Sequence, residues 1–179
     1  MRAFLPAVVG LAVASCGSGA TDAQQGTAAM AKLSLTSSAF LNGQPIPTEY
    51  TCDGAGRSPA LSWGEPPRGT RSFALVVDDT DAPSGTFGHW GAYDIPVGTR
   101  SIATGQAAGA PAVNDLGKPG YGGPCPPKGH GPHHYRFKLF ALDVQTLGLA
   151  GSPKVSEVEA AAGRHALGRG ELVGIYERR

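Results

Sequence analysis

Apolar residues occur along most of the chain in short runs that end at glycine, proline or small polar residues. Runs of this kind, bounded by turn residues, are typical of β-strands. The predicted strands cover residues 32–36, 60–63, 72–77, 89–95, 135–142 and 171–177. Their number and spacing predict an antiparallel β-sandwich.

Two of these strands differ in pattern. Residues 73–77 are continuously apolar, which predicts a central strand buried on both faces. Residues 135–140 alternate between polar and apolar side chains for part of their length, which predicts a strand with one exposed face.

One helix is predicted near the C-terminus. Ser156 is a suitable N-cap, Glu159 a capping-box partner, and Gly168 a left-handed stop. The alanines between them favour a helix of about 11 residues.

Composition limits the architecture and the partners. A chain of 179 residues with 41% hydrophobic residues has enough apolar material for one buried core. The 27 glycines and 15 prolines show no repeat and indicate many turns. The net charge of +1 provides no basic surface for nucleic acid, so we predict no nucleic-acid partner.

The N-terminus has the pattern of an export signal. Arg2 precedes an apolar stretch, residues 3–14, that is shorter than the roughly 20 residues needed to cross a bilayer. Ala14 and Ser15 stand directly before Cys16, as in a bacterial lipobox. We therefore predict a signal peptide at 1–15 and lipidation of Cys16, which would anchor an exported protein to a membrane; simple secretion is the alternative.

Residues 16–31 are polar and small, without apolar periodicity, and predict a flexible tether ahead of a domain at 32–179. With Cys16 assigned to the anchor, Cys52 and Cys125 remain. In an exported protein these two form a disulfide or stay as buried free thiols, and the sequence leaves both readings open.

Chemically active side chains concentrate in two segments, 78–90 and 121–135. In the first, a buried strand leads directly into Asp79 and Asp81, and Pro83 restricts the turn that follows. Asp81 suits a structural role, accepting backbone N–H bonds within its own turn. Asp79 is the better candidate for a binding pocket, where it could hold a charged histidine.

The second segment combines a glycine-rich loop with the start of a strand. Gly122, Gly123 and Gly129 would allow backbone N–H groups to approach an anion. His133 and Tyr135 are two residues apart on a strand, so both should face the same side, whereas His134 and Arg136 should face the other.

The order of these motifs resembles a known family. Asp79-x-Asp81-Ala-Pro83-Ser84 with His89 downstream, followed by Gly-Pro-Cys-Pro-Pro-x-Gly and His133-His-Tyr135, is similar to the two signature regions of the phosphatidylethanolamine-binding proteins. The bacterial, Raf-kinase-inhibitor-like branch is the most similar. The resemblance extends over residues 32–177 and includes further motifs at 50–54, 58–63, 114–123 and 171–177.

This resemblance implies a mainly β, two-sheet, Greek-key-like sandwich with one short helix and a final strand. It also implies a small surface cavity for phosphate, carboxylate or phosphoethanolamine groups. The ligand-binding residues it implies are Asp79, His89, His133 and Tyr135, with Tyr121 and the Cys125 backbone at the rim. Ala82–Pro83 becomes a candidate cis peptide bond. Thr80 and His134 depart from the family pattern, where proline and arginine are common.

The expected function is binding of a small anion or a phospholipid head group outside the cytoplasm, without catalysis and without a cofactor. A protein-binding inhibitor module in the cell envelope is one alternative, and a hydrolase using the aspartates and histidines is another. A metal site is a third: His130, His133, His134 and His89 could supply imidazoles near Asp79. No two of the clustered histidines have i, i+4 spacing, and neighbouring strand residues face opposite sides, so we predict no metal.

Overall fold

The computed structural model of the protein describes residues 30–179. The predicted signal peptide, the lipidation site Cys16 and residues 17–29 of the predicted tether lie outside the described residues. The strands are β1 Ala31–Lys32, β2 Leu35–Ser37, β3 Gln44–Pro45, β4 Leu61–Trp63, β5 Ser72–Asp79, β6 Phe87–Pro96, β7 Ser101–Ile102, β8 Ala110–Pro111, β9 His133–Leu142 and β10 Ala166–Tyr176. A single 3-10 turn spans Thr48–Tyr50, and helix α1 spans Val155–His165.

The strands form two sheets. The larger has seven strands in the order β1-β10-β9-β5-β6-β8, with β3 also paired to β10, and the smaller has three strands in the order β2-β4-β7. Every long strand pairs antiparallel, whereas the two-residue strands β1 and β3 run parallel to β10. The predicted mainly β, two-sheet fold with one short helix is confirmed.

The central position predicted for β5 is also confirmed, since β5 pairs with β6 on one side and β9 on the other. Its alternate side chains enter two different cores. Phe73, Leu75 and Val77 pack between the two sheets, whereas Ala74 and Val76 pack under helix α1. A strand covered on both faces must be apolar throughout, which explains its unbroken run.

Strand β9 is less exposed than its alternating pattern suggests. Only His134 is exposed and Arg136 is half-buried, while the rest of the strand is buried. The outer face of β9 contributes Phe140 and Leu142 to the core under helix α1. The predicted half-exposed strand is therefore wrong for most of its length, because α1, the next element along the chain, packs over that face.

Helix α1 has the predicted length of 11 residues but different ends. Its N-cap is Lys154, whose N–H donates to Glu157 Oε2 at 2.7 Å, so Ser156 lies inside the helix. Gly168 is a residue of β10, so it does not end the helix. Packing decides this start, because Val155 is buried against Gly88 and Gly91 of β6.

Cys52 and Cys125 form a disulfide with their Cα atoms 5.4 Å apart, which confirms the paired alternative. The bond connects the chain after the 3-10 turn to the glycine-rich loop before β9. None of the helices in residues 30–179 is long and apolar enough to cross a membrane.

The turn after β5 corrects one expectation. None of the peptide bonds in residues 30–179 is cis, so the expected cis Ala82–Pro83 bond is wrong. The Gly85 N–H donates to the Ala82 carbonyl at 2.9 Å. This places Pro83 at the second position of a β-turn, which favours a trans proline, whereas a cis proline occupies the third position.

Candidate functional site

The ends of three neighbouring strands meet at one edge of the large sheet. Strand β5 ends at Asp79, and Asp79 pairs with Phe87 at the start of β6 and with Tyr135 near the start of β9. Antiparallel pairing therefore brings the end of one chemically dense segment next to the start of the other.

The two adjacent aspartates of β5 point to opposite faces, since side chains alternate along a strand. Asp79 points to the same face of β5 as Val77, which is the face that packs between the two sheets. Asp78 lies under helix α1, where the Lys138 Nζ donates to Asp78 Oδ2 and, at 2.6 Å, to Glu159 Oε1. Burial raises the pKa of Asp78 above its usual value. Asp78 thus belongs to a buried ion cluster away from the cavity.

Asp79 starts a chain of hydrogen bonds that passes through two histidines. His133 Nδ1 lies 2.7 Å from Asp79 Oδ2, and both side chains are almost completely buried. His133 Nε2 lies 2.8 Å from Nδ1 of the exposed His130. Because a carboxylate only accepts, His133 Nδ1 carries a proton that it donates to Asp79.

His89 is oriented by the backbone of the glycine-rich loop. Its Nδ1 lies 2.8 Å from the Gly122 carbonyl oxygen, which can only accept, so Nδ1 carries the proton. Nε2 is then the nitrogen available to a ligand. Burial lowers the pKa of His89, and the Gly122 carbonyl and the Asp79 charge oppose this effect. The neutral ring therefore presents Nε2 as an acceptor.

The Tyr135 hydroxyl is buried and forms no well-aligned hydrogen bond within residues 30–179, although the Cys125 backbone and the Asp79 carboxylate lie close to it. The Tyr135 ring packs edge-on against His89 with 5.1 Å between the ring centres. Burial and the negative charge of Asp79 raise the pKa of Tyr135, so the phenol stays protonated at neutral pH. A buried donor without a partner is costly, and a ligand oxygen would satisfy it.

A cavity of about 200 Å³ opens at this place. Its lining combines polar side chains, such as those of Asp79, His89 and His133, with apolar residues. None of the described residues that line it is a lysine or an arginine, so histidines supply any cationic side chain. The lining residues are Asp79, Ala82, Pro83, Ser84, Phe87, His89, Leu116, Gly123, Cys125, Pro126, Pro127, His133 and Tyr135.

The structure brings five of the six ligand-binding residues named from sequence to this cavity: Asp79, His89, Cys125, His133 and Tyr135. The sixth does not line it. The Tyr121 hydroxyl donates to the Tyr50 carbonyl at 2.7 Å, and the ring packs against Trp90 next to a separate surface cavity. We therefore leave Tyr121 out of the binding set.

The roles of the two turn aspartates are partly exchanged. Asp79 Oδ1 accepts the Asp81 N–H at 2.8 Å, so Asp79 itself closes the turn. Asp81 Oδ2 instead bonds across to the backbone N–H and the ring Nδ1 of His134, at 2.8 and 2.7 Å. These bonds from His134 lower the pKa of Asp81. Asp81 thus links the turn after β5 to strand β9 and does not cap its own turn.

The glycine-rich loop does not present its amides as expected. The Gly122 N–H donates to the His89 carbonyl and the Gly129 N–H to the Arg178 carbonyl, so both are engaged by the protein. At Gly123, a Cβ would lie 2.9 Å from the Tyr50 carbonyl, so close backbone packing requires glycine there. The loop glycines serve mainly to seat the loop against its neighbours.

Sequence reasoning missed part of the site. Phe87 shares the strand parity of His89, a signal that could have placed it at the cavity. Leu116 lines the rim and is 53% exposed, and no sequence pattern indicates it. The contact of His130 with His133 depends on the loop conformation. In the described range, no three histidine, cysteine, aspartate or glutamate side chains form a group that could hold a metal ion.

Comparisons with known proteins agree with this architecture. The sequence profile of the phosphatidylethanolamine-binding proteins matches residues 36–177. A UPF0098 protein of Aquifex aeolicus is 45% identical over 152 residues, 82% of this chain and 89% of that protein. LppC of Mycobacterium tuberculosis, whose name describes it as a candidate lipoprotein, is 42% identical over 158 residues, 87% of this chain and 78% of that protein.

Two crystal structures have the same fold. YbcL of E. coli, described as a member of the mammalian PEBP family, superposes with a TM-score of 0.78 at 30% identity, covering 83% of this chain and all of YbcL. The PEBP homologue CT736 of Chlamydia trachomatis superposes with a TM-score of 0.76 at 35% identity, covering 83% of this chain and 99% of CT736. The chain belongs to the phosphatidylethanolamine-binding protein family.

Proposed function

We propose that this protein is an exported, lipid-anchored binding protein whose cavity takes a small anionic group, such as phosphate, phosphoethanolamine or a carboxylate. The observation that carries this proposal is the Tyr135 hydroxyl, a buried donor on the wall of the cavity without a well-aligned partner among residues 30–179. A ligand oxygen placed there would accept its hydrogen bond.

The neighbouring groups define the ligand further. The neutral His89 ring offers Nε2 as an acceptor, beside the Tyr135 hydroxyl as a donor. A ligand that both accepts and donates, such as a phosphate monoester with one protonated oxygen, satisfies both groups. Asp79 does not repel it fully, because His133 and the Asp81 N–H already bind its carboxylate.

The arrangement supports binding without catalysis. Ser84 lines the cavity, and within residues 30–179 its hydroxyl forms no hydrogen bond to a histidine. The His133 nitrogens are engaged by Asp79 and His130, so neither is directed at Ser84. The base that would activate a serine nucleophile is therefore not in place.

Lipid anchoring through Cys16 is supported by the sequence before it and by a relative. Ala14-Ser15-Cys16 has the lipobox pattern, and the similar LppC carries a lipoprotein name. The disulfide between Cys52 and Cys125 is consistent with export, since disulfides persist outside the cytoplasm. The cavity would then bind its ligand at the outer side of a membrane.

An NMR titration with phosphate and with phosphoethanolamine tests the binding proposal. We expect saturable shifts of the Ser84, Gly123 and Cys125 amides, which lie at the cavity. His89→Ala should weaken binding at least about tenfold, the effect of one lost hydrogen bond to a charged ligand. His165→Ala is the matched control, since His165 is bonded to Asp143 on the surface and lies outside the cavity lining.

Several outcomes would replace the proposal. Absence of any shift with either ligand would refute anion binding. Steady turnover of an ester or phosphoester, abolished by His89→Ala, would establish a hydrolase instead. Capture of an envelope protein that is lost in the same variant, without small-anion binding, would establish a protein-binding module. Lipid anchoring at Cys16 would be refuted if cleavage of the signal peptide were insensitive to an inhibitor of the lipoprotein signal peptidase. It would also be refuted if a Cys16→Ser variant still partitioned into membranes.

A further inference from the structure

We infer that His130 is a positioning residue of the cavity: it shares one proton with His133 and through it sets the pH range in which the cavity accepts a fully ionised anion. This inference rests on the proposed function, because it concerns how the same cavity binds its ligand. His130 was not among the site residues identified from sequence, and it does not line the cavity itself.

The first step is the geometry of the pair. His130 Nδ1 and His133 Nε2 are 2.8 Å apart, a hydrogen-bond distance. Two N–H groups cannot point at each other at this distance, and two lone pairs would gain nothing. One proton therefore lies between the two nitrogens, on either ring. The rings are tilted by 60° with 5.0 Å between their centres, so the contact is directed through these nitrogens and not through stacking.

The second step is the charge of the group. His133 donates its other proton to Asp79 at 2.7 Å, so Asp79, His133 and His130 form one connected unit. With both rings neutral, the unit carries the single negative charge of Asp79. One added proton makes it neutral overall, because the charge on either ring balances Asp79. That proton stabilises an anion placed against His133 and Tyr135.

The third step is the absence of any other cation on the cavity wall. None of the described lining residues is a lysine or an arginine, and His89 is biased toward its neutral form by burial. A ligand with a proton of its own can donate to His89 Nε2. A ligand without one, such as sulfate, gains instead from any reduction of the negative charge beside the cavity. One added proton on the histidine pair provides this reduction, while both ring nitrogens of His133 stay bonded to Asp79 and His130.

Other charged groups near the pair are balanced within the protein. Asp81, after β5, is bonded to His134, and Asp53 is bonded to Arg178 near the C-terminus. Lys128 is exposed on the same loop as His130. From β5, β6, β9 and β10, the titratable side chains that face the pair or its cavity are Asp79, His89, Tyr135 and Tyr176. The Tyr176 hydroxyl donates to Asp53.

Both rings contribute to the proton's stability. A protonated His133 keeps its bond to His130 because Nε2–H then donates to the Nδ1 lone pair. Such charge-assisted hydrogen bonds are about twice as strong as neutral ones. Removing His130 should therefore weaken the hold of the unit on its added proton.

The experiment measures sulfate affinity as a function of pH, because the charge of sulfate does not change near neutrality. We expect the sulfate affinity of the native protein to fall at least about tenfold between roughly pH 5 and pH 8, the range in which histidines change their charge. In His130→Gln and His130→Ala, the midpoint of this fall should move to lower pH. Gln retains a hydrogen-bonding group but does not titrate, so it separates the shared proton from a merely structural role.

His165→Ala is the matched control, since His165 is bonded to Asp143 on the surface and lies outside the cavity lining. Its pH midpoint should equal that of the native protein. Side-chain ¹⁵N NMR should show His130 and His133 titrating as one coupled pair in two steps. Independent titration of the two rings would contradict the shared proton.

The result also separates this inference from the proposed function. Phosphate binding combined with a sulfate affinity that does not rise on acidification overturns the shared-proton inference and leaves anion binding standing. The same holds if His130→Gln keeps the native midpoint. Failure of both phosphate and sulfate to bind at every pH refutes the proposed function and this inference together.

Discussion

Replacing Tyr135 by phenylalanine should make the ligand-free protein more stable and a poorer binder. The substitution removes one buried hydroxyl that has no well-aligned partner within residues 30–179 and leaves the ring against His89 in place. A buried donor without a partner costs about 1–3 kcal/mol. The small void left by the oxygen offsets part of this, so the free energy of unfolding should rise by about 1 kcal/mol.

Phosphate affinity should move in the opposite direction. A hydrogen bond from Tyr135 to a charged ligand contributes about 1.5–3 kcal/mol, so the Kd should increase at least about tenfold. Urea unfolding followed by fluorescence of the buried Trp63 and Trp90, in buffer free of phosphate, measures stability. Repeating the unfolding at increasing phosphate concentration measures affinity, because a ligand that binds only the folded state stabilises it.

Tyr121→Phe is the matched control for this prediction. The Tyr121 hydroxyl donates to the Tyr50 carbonyl, so its removal should lower the free energy of unfolding by about 1 kcal/mol. Phosphate affinity should stay unchanged, because Tyr121 does not line the cavity. The reasoning fails if Tyr135→Phe destabilises the ligand-free protein as much as Tyr121→Phe does, or if it binds phosphate as tightly as the native protein.

Three further results are expected. Replacing Cys52 and Cys125 by serine should lower the free energy of unfolding by up to about 4 kcal/mol, the loop-entropy effect of a disulfide over 73 residues, as measured by urea unfolding with and without reductant. Lys138→Met should lower the free energy of unfolding by about 3–5 kcal/mol, because it leaves Asp78 buried without its ion-pair partner. In thermal unfolding, the double variant Lys138→Met/Asp78→Leu should recover most of this loss. No recovery would contradict an ion-pair origin of the loss. The pKa of Asp81 is lowered in the folded state, so its contribution to stability is present above its unfolded pKa of about 4 and is lost as the pH falls through its lower folded pKa. When the urea midpoint is plotted against pH, Asp81→Asn should therefore flatten the decrease on the acid side. An unchanged decrease would contradict this.

Most of the site could be predicted because its residues follow strand parity. His133 and Tyr135 stand two apart and reach the cavity together, and Asp79 separates from Asp78 for the same reason. Parity depends only on local backbone geometry, so it can be applied to the sequence directly. Tyr121 lies in a loop, where side-chain direction follows no fixed alternation. Its hydroxyl donates to the Tyr50 carbonyl, 71 residues away in sequence.

The pattern of apolar runs and turn residues alone determined a mainly β domain with a central β5, and the ordered motifs determined its family. These properties depend on local periodicity and on residue identity. Only the tertiary structure decided the pairing of Cys52 with Cys125, the burial of β9 beneath α1 and the contact between His130 and His133. The disulfide joins positions 73 residues apart, and the burial of β9 depends on where α1 packs. The contact between His130 and His133 depends on the conformation of the loop before β9, which no periodic pattern encodes.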